Sequence, residues 1–153
     1  MRRKDKEITD SSISEEIIKK STVCRLAMVD GRKPYLVPLS FGYEANSLYF
    51  HSALKGMKID ILRTNPNVCF EFDIPGELIK GESPCKWSVQ YQSIIGFGKA
   101  EFLEKPAEKR DAFRVIMAQY SDQQFEFTDE ELQAVAMFKV SIAELSAKQS
   151  GFE

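Results

Sequence analysis

Apolar and polar residues alternate with a period of two over much of this chain. The clearest case is Val68 to Asp73, where Val68, Phe70 and Phe72 share one side and Cys69, Glu71 and Asp73 the other. That alternation predicts a half-buried strand, because successive strand side chains point to opposite faces. Val23 to Val29 reads the same way, with Cys24, Leu26 and Met28 on one face and Arg25 interrupting the other. Asp30-Gly31 follows, and glycine tolerates the positive φ of tight hairpin turns, so Pro34 to Tyr43 is expected to return antiparallel. Pro38 cannot donate to a ladder, which places this run at an edge or a bulge. A turn over Glu44 to Ser47 leads to Leu48-Tyr49-Phe50, Lys86 to Phe97 is a long β-rich run, and Gly96 and Gly98 mark a bend before Ala100 to Leu103. Met137 to Ile142 is the last expected strand, with Ala143 to Glu153 a tail and Ile74 to Pro84 a flexible loop rich in Pro and Gly.

Helical signals are fewer. Ser12-Ile13-Ser14-Glu15 reads as a capping box opening a helix with Ile13, Ile17 and Ile18 on one side, a lid for the sheet. Pro106 to Tyr120 begins with proline and spaces Phe113, Ile116, Met117 and Tyr120 as a helix does, and Thr128-Asp129-Glu130-Glu131 is a second capping box. Strands outnumber helices without a strand–helix alternation. The expected fold is one domain over residues 1–153, mainly β: an antiparallel barrel with peripheral helices.

Ser47 to Pro66 carries the chemistry. A strand ends at a polar corner, His51-Ser52, and after Gly56 a run containing Met57, Ile59, Ile61 and Leu62 predicts a helix that Asn65-Pro66 stops. The first N–H groups of a helix lack intrahelical partners and its dipole is positive there, so an anion fits such a junction. Lys55 and Lys58 flank the corner and Ser52 adds a hydroxyl. Two readings stand side by side: a helix start that serine and lysine merely cap and solubilise, or a phosphate site. Beside Leu39 and Ser40, the edge strand leaves backbone groups free to hydrogen-bond a planar heterocycle.

Composition narrows the classes. With 153 residues, 29% charged and 43% hydrophobic, the chain has the balance of a soluble domain, and no apolar run nears the roughly 20 residues a membrane span needs. The basic opening at Arg2, Arg3 and Lys4 leads into no apolar stretch, so a cytoplasmic location is expected. A net charge of −2 gives no field for nucleic acid. Three cysteines, Cys24, Cys69 and Cys85, form no C-x-x-C pair and signal neither disulfides nor zinc. Dinucleotide, Walker, G-x-S-x-G and H-E-x-x-H motifs are absent, and a single histidine cannot supply a two-histidine metal site within one subunit. Glu71 and Asp73 on one strand face read as solvated charge. Catalysis, if present, rests on a bound cofactor.

The order Tyr49-Phe50-His51-Ser52-Ala53, Gly56-x-Lys58, Asn65-Pro66-Asn67-Val68-Cys69, with Met1 to Ile8, Pro34-Tyr35, Val37-Pro38 and Tyr91 to Gly98, resembles the FMN-binding split-barrel family related to pyridoxamine 5'-phosphate oxidase, in its nitroimidazole-reductase (nitroimidazole-resistance) branch. The resemblance implies a six-stranded split β-barrel, a homodimer and FMN in the groove between subunits. It implies that Ser52 and Lys58 hold the flavin phosphate, that Val37, Pro38, Leu39 and Ser40 line the ribityl chain and ring edge, that His51 sits at the flavin or substrate pocket, and that Tyr91 and Ser93 back the site. The corner H-S-A-L-K-G-M-K lacks the arginine-lysine pair typical of the oxidases themselves, and no later arginine-bearing segment follows. The expectation is therefore a flavoprotein oxidoreductase reducing a small planar acceptor such as a nitroimidazole. Its alternatives are a flavin or heme binder without turnover, with His51 as axial ligand, or an empty barrel serving as an interaction protein.

Overall fold

The computed structural model describes residues 3–152; Met1 and Arg2 of the basic opening, and Glu153, lie outside the described residues. Its centre is one antiparallel sheet. After a 3-10 turn at Lys4–Lys6 the elements are β1 (Glu7–Ile8), α1 (Ser11–Lys20), β2 (Cys24–Asp30), β3 (Lys33–Leu39), β4 (Gly42–Glu44), β5 (Ser47–Ala53), α2 (Met57–Thr64), β6 (Asn67–Ile79), β7 (Ser88–Phe102), α3 (Pro106–Ala118), α4 (Asp129–Gln133) and β8 (Val135–Ser150). Strand order is β3-β2-β6-β7-β8-β5-β4, with β1 also on β8. The mainly β, antiparallel expectation holds, with eight strands instead of six among the described residues.

The hairpins form where their turn residues require. Gly31 takes φ +58 between β2 and β3, and Ala45 and Asn46 take φ +48 and +57 between β4 and β5, matching the twist of the flanking strands. Cys24, Leu26 and Met28 point inward from β2, and Val68, Phe70 and Phe72 from β6, as their alternation predicts. Phe41, Phe50, Phe70, Phe72 and Phe138 are fully enclosed, with Phe41–Phe72 at 4.8 Å and Phe50–Phe138 at 5.1 Å between ring centroids. Each such side chain removed from water contributes about 1.5–3 kcal/mol. Gly96 lets the sheet bend over this cluster: a Cβ there would lie 2.1 Å from the Phe70 ring.

Four expectations change. Residues 74–79 are not loop but the end of β6, which pairs with β7 as far as Ile79–Ser88 and absorbs Gly76-Glu77, just after Pro75, in a bulge. Residues 143–150 are not tail: β8 continues through Ala143 as a bulge opposite Phe97-Gly98 and stays paired with β7 to Ser150. Both runs read as irregular because proline and glycine sit in them, yet long-range pairing satisfies their backbone. The run 34–43 breaks at Ser40-Phe41 into β3 and β4. Helix α1 is capped by Asp10, whose carboxylate accepts from the Ser12 N–H at 2.8 Å, so Ser12 lies inside it. The second capping box is real, with Thr128 and Glu131 bonding reciprocally.

The helices hold the barrel's ends. Ile17 and Ile18 of α1 are buried in the main core. Ala112 and Ile116 of α3 pack with Leu103 and Met137 in a second, smaller core. At the end of α3, Gln119 Nε2 donates to the carbonyls of Lys19 and Ser21, both at 2.9 Å, tying α3 to the end of α1. No helix among the described residues is long and apolar enough to cross a membrane.

Candidate functional site

Strand β3 begins the strand order and has a free edge, as Pro38 requires, while β5 lies near the other end. The sheet coils until these two approach across a seam that no strand pairing closes. A cleft of about 400 Å³ lies there, within the range of small-molecule sites. Tyr35 and Val37 line it from β3, His51 and Ser52 from β5, Val135 from β8, and Lys55, Gly56 and Lys58 from the corner and first turn of α2.

The corner owes its shape to Gly56, which caps α2 at φ +136, ψ +165, a conformation open essentially to glycine alone. The turn that follows is anchored from inside, with Ile59, Ile61 and Leu62 buried and Met57 exposed. Strand β5 runs three residues further than Phe50, so His51 and Ser52 are ladder residues opposite Met137 and Ala136. Alternation then sends Phe50 and Ser52 inward and turns His51 to the other side.

The electrostatics are one-sided. No carboxylate lines the cleft, and neither Lys55 nor Lys58 forms an ion pair among the described residues. Burial lowers the Lys58 pKa from its ordinary value. Burial also lowers that of His51, helped by the nearby positive Lys58. Nδ1 of His51 is buried with no hydrogen-bond partner, and Ser52 is 8% exposed. A part-buried donor set with positive charge and no acidic partner is a site suited to an anion.

Of the residues named from sequence, the structure brings Val37, His51, Ser52 and Lys58 to one cleft. Pro38, Leu39 and Ser40 continue along the β3 edge without lining it. Tyr91 and Ser93 lie elsewhere, on β7 between Pro75 and Asp73 of β6 and Ser150 and Lys148 of β8, with Lys6 Nζ 5.8 Å from the Tyr91 ring centroid. Tyr35, Val135 and the aromatic pair behind His51 were not anticipated. Phe113 lies 5.5 Å from His51 between ring centroids, and Phe127 stacks on Phe113 at 4.7 Å. Tyr35 was legible as the same-face neighbour of Val37, two residues apart; Phe113 and Phe127 carried no local signal for this role.

Glu71 and Asp73, read as solvated charge, both receive hydrogen bonds from Arg25, the former at 2.9 Å. Cys24 is buried, Cys69 half-buried and Cys85 exposed. Burial drives the Cys24 thiol far above its ordinary pKa, so it remains a protonated core residue.

A coiled antiparallel sheet, left open at one seam and bearing a helix start and two lysines there, defines the split-barrel class. The family model described as pyridoxamine 5'-phosphate oxidase matches residues 10–149, and the chain belongs to that family. Its structure is similar to that of a candidate 5-nitroimidazole antibiotic resistance protein from Bacteroides thetaiotaomicron, at 35% identity over 94% of this chain and 86% of that one, with a TM-score of 0.85. The fold is shared with the flavocytochrome Anf3 of Azotobacter vinelandii (19% identity, 99% and 72% covered, TM-score 0.87). It is shared too with an FAD and heme binding protein of Mycobacterium smegmatis (18%, 96% and 74%, TM-score 0.88). A curated relative, RA0666 of Rhizobium meliloti (strain 1021), is 34% identical over 55 residues; the match spans 36% of each chain.

Proposed function

We propose that this protein is an FMN-binding oxidoreductase that reduces a small planar, electron-poor acceptor such as a nitroimidazole, working in the cytoplasm as a homodimer with the cofactor at the subunit interface. The observation that carries the reading is the unpaired donor set at the β5–α2 corner: Ser52, the start of α2, and Lys58 with no carboxylate partner. A flavin phosphate supplies the charge that Lys58 lacks, and the corner's N–H groups and the Ser52 hydroxyl supply its hydrogen bonds. The free edge of β3, from Val37 through Pro38 and Leu39 to Ser40, offers backbone groups to a flat heterocycle. The similarity to the Bacteroides protein, with its link to 5-nitroimidazoles, supports the acceptor class.

When bound, FMN supplies the electron transfer; the chain supplies the anchor, the shape and one orienting group. His51 is that group. Its Nδ1 is sealed without a partner, so its polar contact with an acceptor runs through Nε2. Tyr91 and Ser93 belong to the sheet wall in this reading.

Heme is the second reading: as an axial ligand His51 would coordinate through one ring nitrogen and donate its other N–H to a carboxylate, carbonyl or water, and the described residues offer Nδ1 no carboxylate or carbonyl. The deciding experiment is the visible absorption spectrum of the purified protein, with and without added FMN, before and after chemical reduction. A two-banded spectrum that bleaches on reduction is expected. A sharp heme band, or no chromophore with excess FMN, would overturn the proposal.

A further inference from the structure

His51 does not stand alone on its strand. The imidazole lies 5.5 Å from the Phe113 ring, tilted by 39°, and Phe113 is stacked at 4.7 Å and 14° on Phe127. The three rings run outward from the cleft as a column. Phe113 is fixed by α3, whose neighbouring turns bury Ala112 and Ile116. Phe127 comes from an irregular segment, yet it is held from behind. Thr128 beside it caps α4, with the Thr128 N–H donating to Glu131 Oε2 at 2.8 Å and the Glu131 N–H to Thr128 Oγ1 at 3.2 Å. Arg110 Nη2 reaches both the Phe127 carbonyl, at 3.4 Å, and Asp129, at 2.9 Å.

Phe127 also floors a recess of about 470 Å³ between α3 and residues 121–125. The capping box and Arg110 therefore do more than end a loop: they set the last member of a column whose first member is the cleft histidine.

We propose that Phe113 and Phe127 are positioning residues for His51, fixing the imidazole so that Nδ1 is closed off and Nε2 alone is presented to the ring that occupies the cleft. The inference deepens the flavoprotein reading and rests on the cleft being the ligand site. Aromatic rings in contact prefer offset-stacked or edge-to-face arrangements, so the Phe113–Phe127 pair favours one orientation of the ring packed against it.

The charged and titratable groups that face the ring come from three elements. Lys58 and Lys55 face it from α2 and the corner, and Tyr35 from β3. Strand β8 contributes Val135, whose carbonyl accepts from Lys109 Nζ at 2.9 Å, so the ammonium of α3 is turned to backbone. Arg110 is engaged with Phe127 and Asp129. No carboxylate lines the cleft to hold the imidazolium.

Because the chain has one histidine, its imidazole resonances need no assignment strategy. The test is an NMR titration of the apo protein between pH ~4.5 and ~8.5, around the ordinary imidazole midpoint, repeated in Phe113→Leu, Phe127→Leu, Phe127→Tyr and Arg110→Gln. Circular dichroism checks folding, and fluorescence titration measures FMN binding. The expected result is a wild-type midpoint below the ordinary value, an upward move in both leucine variants and a smaller one in Arg110→Gln, and a wild-type midpoint in Phe127→Tyr, which keeps the stack. Unchanged midpoints in folded Phe113→Leu and Phe127→Leu, or in folded Arg110→Gln and Phe127→Leu should Phe113→Leu not fold, would overturn the inference. Failure of wild-type protein to bind FMN would instead remove the flavoprotein reading, and the apo titration separates the two failures.

Discussion

Two clusters of charged side chains sit on strands of the same sheet and have opposite fates. On the outer face of β2 and β6, Arg25 lies against Glu71 and Asp73, and its hydrogen bonds to the two carboxylates raise its pKa. At the β5–α2 corner, Lys58 and His51 are partly buried, both have pKa values lowered by burial, and neither has an acidic partner among the described residues. The first cluster is complete within the chain. The second finds no such partner among the described residues. Buried polar groups normally find partners within the fold, so a site where they do not is where a ligand is expected.

Lys109 sharpens the contrast. It is as buried as any charged residue among those described, 9% exposed, yet its ammonium donates to two carbonyls, Leu132 and Val135, both at 2.9 Å. One lysine is therefore structural and the other available, although both sit on short amphipathic helices.

Four outcomes would break or sharpen this comparison. The largest is expected at Lys58: Lys58→Ala should weaken FMN binding by roughly 10- to 100-fold, the value of a hydrogen bond to a charged group, with little loss of stability in a urea melt. Unchanged FMN affinity would make the corner an ordinary helix start. Next, Lys109→Met should destabilise by about 1–3 kcal/mol, since two buried carbonyls lose their donor, and FMN titration of the folded fraction should be unaltered. A loss of affinity without a loss of stability would reverse the roles of the two lysines.

Arg25→Gln should cost about 1 kcal/mol or less, because the side chains involved are a third or more exposed and solvent screens the pair. A denaturation midpoint shifted as far as in Lys109→Met would contradict the view of this cluster as surface pairing. The smallest effect concerns pH. His51 holds a lowered pKa when folded, so below the ordinary imidazole value near 6.5 the unfolded chain binds more protons than the folded one. Stability should thus decline as pH falls from about 6.5 towards the folded-state midpoint, then level off for this group, and bound FMN should steepen or flatten that step according to whether it shields the ring. Comparison with His51→Gln isolates the contribution.

Period-two alternation was enough to place the inward faces of β2 and β6, and turn chemistry was enough for the hairpin at Asp30-Gly31, because these signals are local: a side chain's face follows from its parity, and glycine readily takes the positive φ seen at Gly31. The strand extensions at residues 74–79 and 143–150 were hidden because Pro75, Gly76 and a bulge at Ala143 imitate loop sequence, while the pairing that rescues them joins residues far apart in the chain. The corner was legible in part. Ser52 and Lys58 were named from a strand-to-helix junction that the structure contains, whereas the neighbours of Tyr91 and Ser93 on β7 depend on register, which sequence order does not give.

The sequence by itself determined the antiparallel class, the inward faces, the edge position of Pro38 and the cationic corner behind Gly56, all consequences of backbone stereochemistry and side-chain spacing. Only the tertiary structure decided that β3 and β5 meet across an unclosed seam, and that Phe113 and Phe127 press on the single histidine. Those contacts depend on how far one coiled sheet turns and how a helix 50 residues further along packs against it, and no local pattern records either.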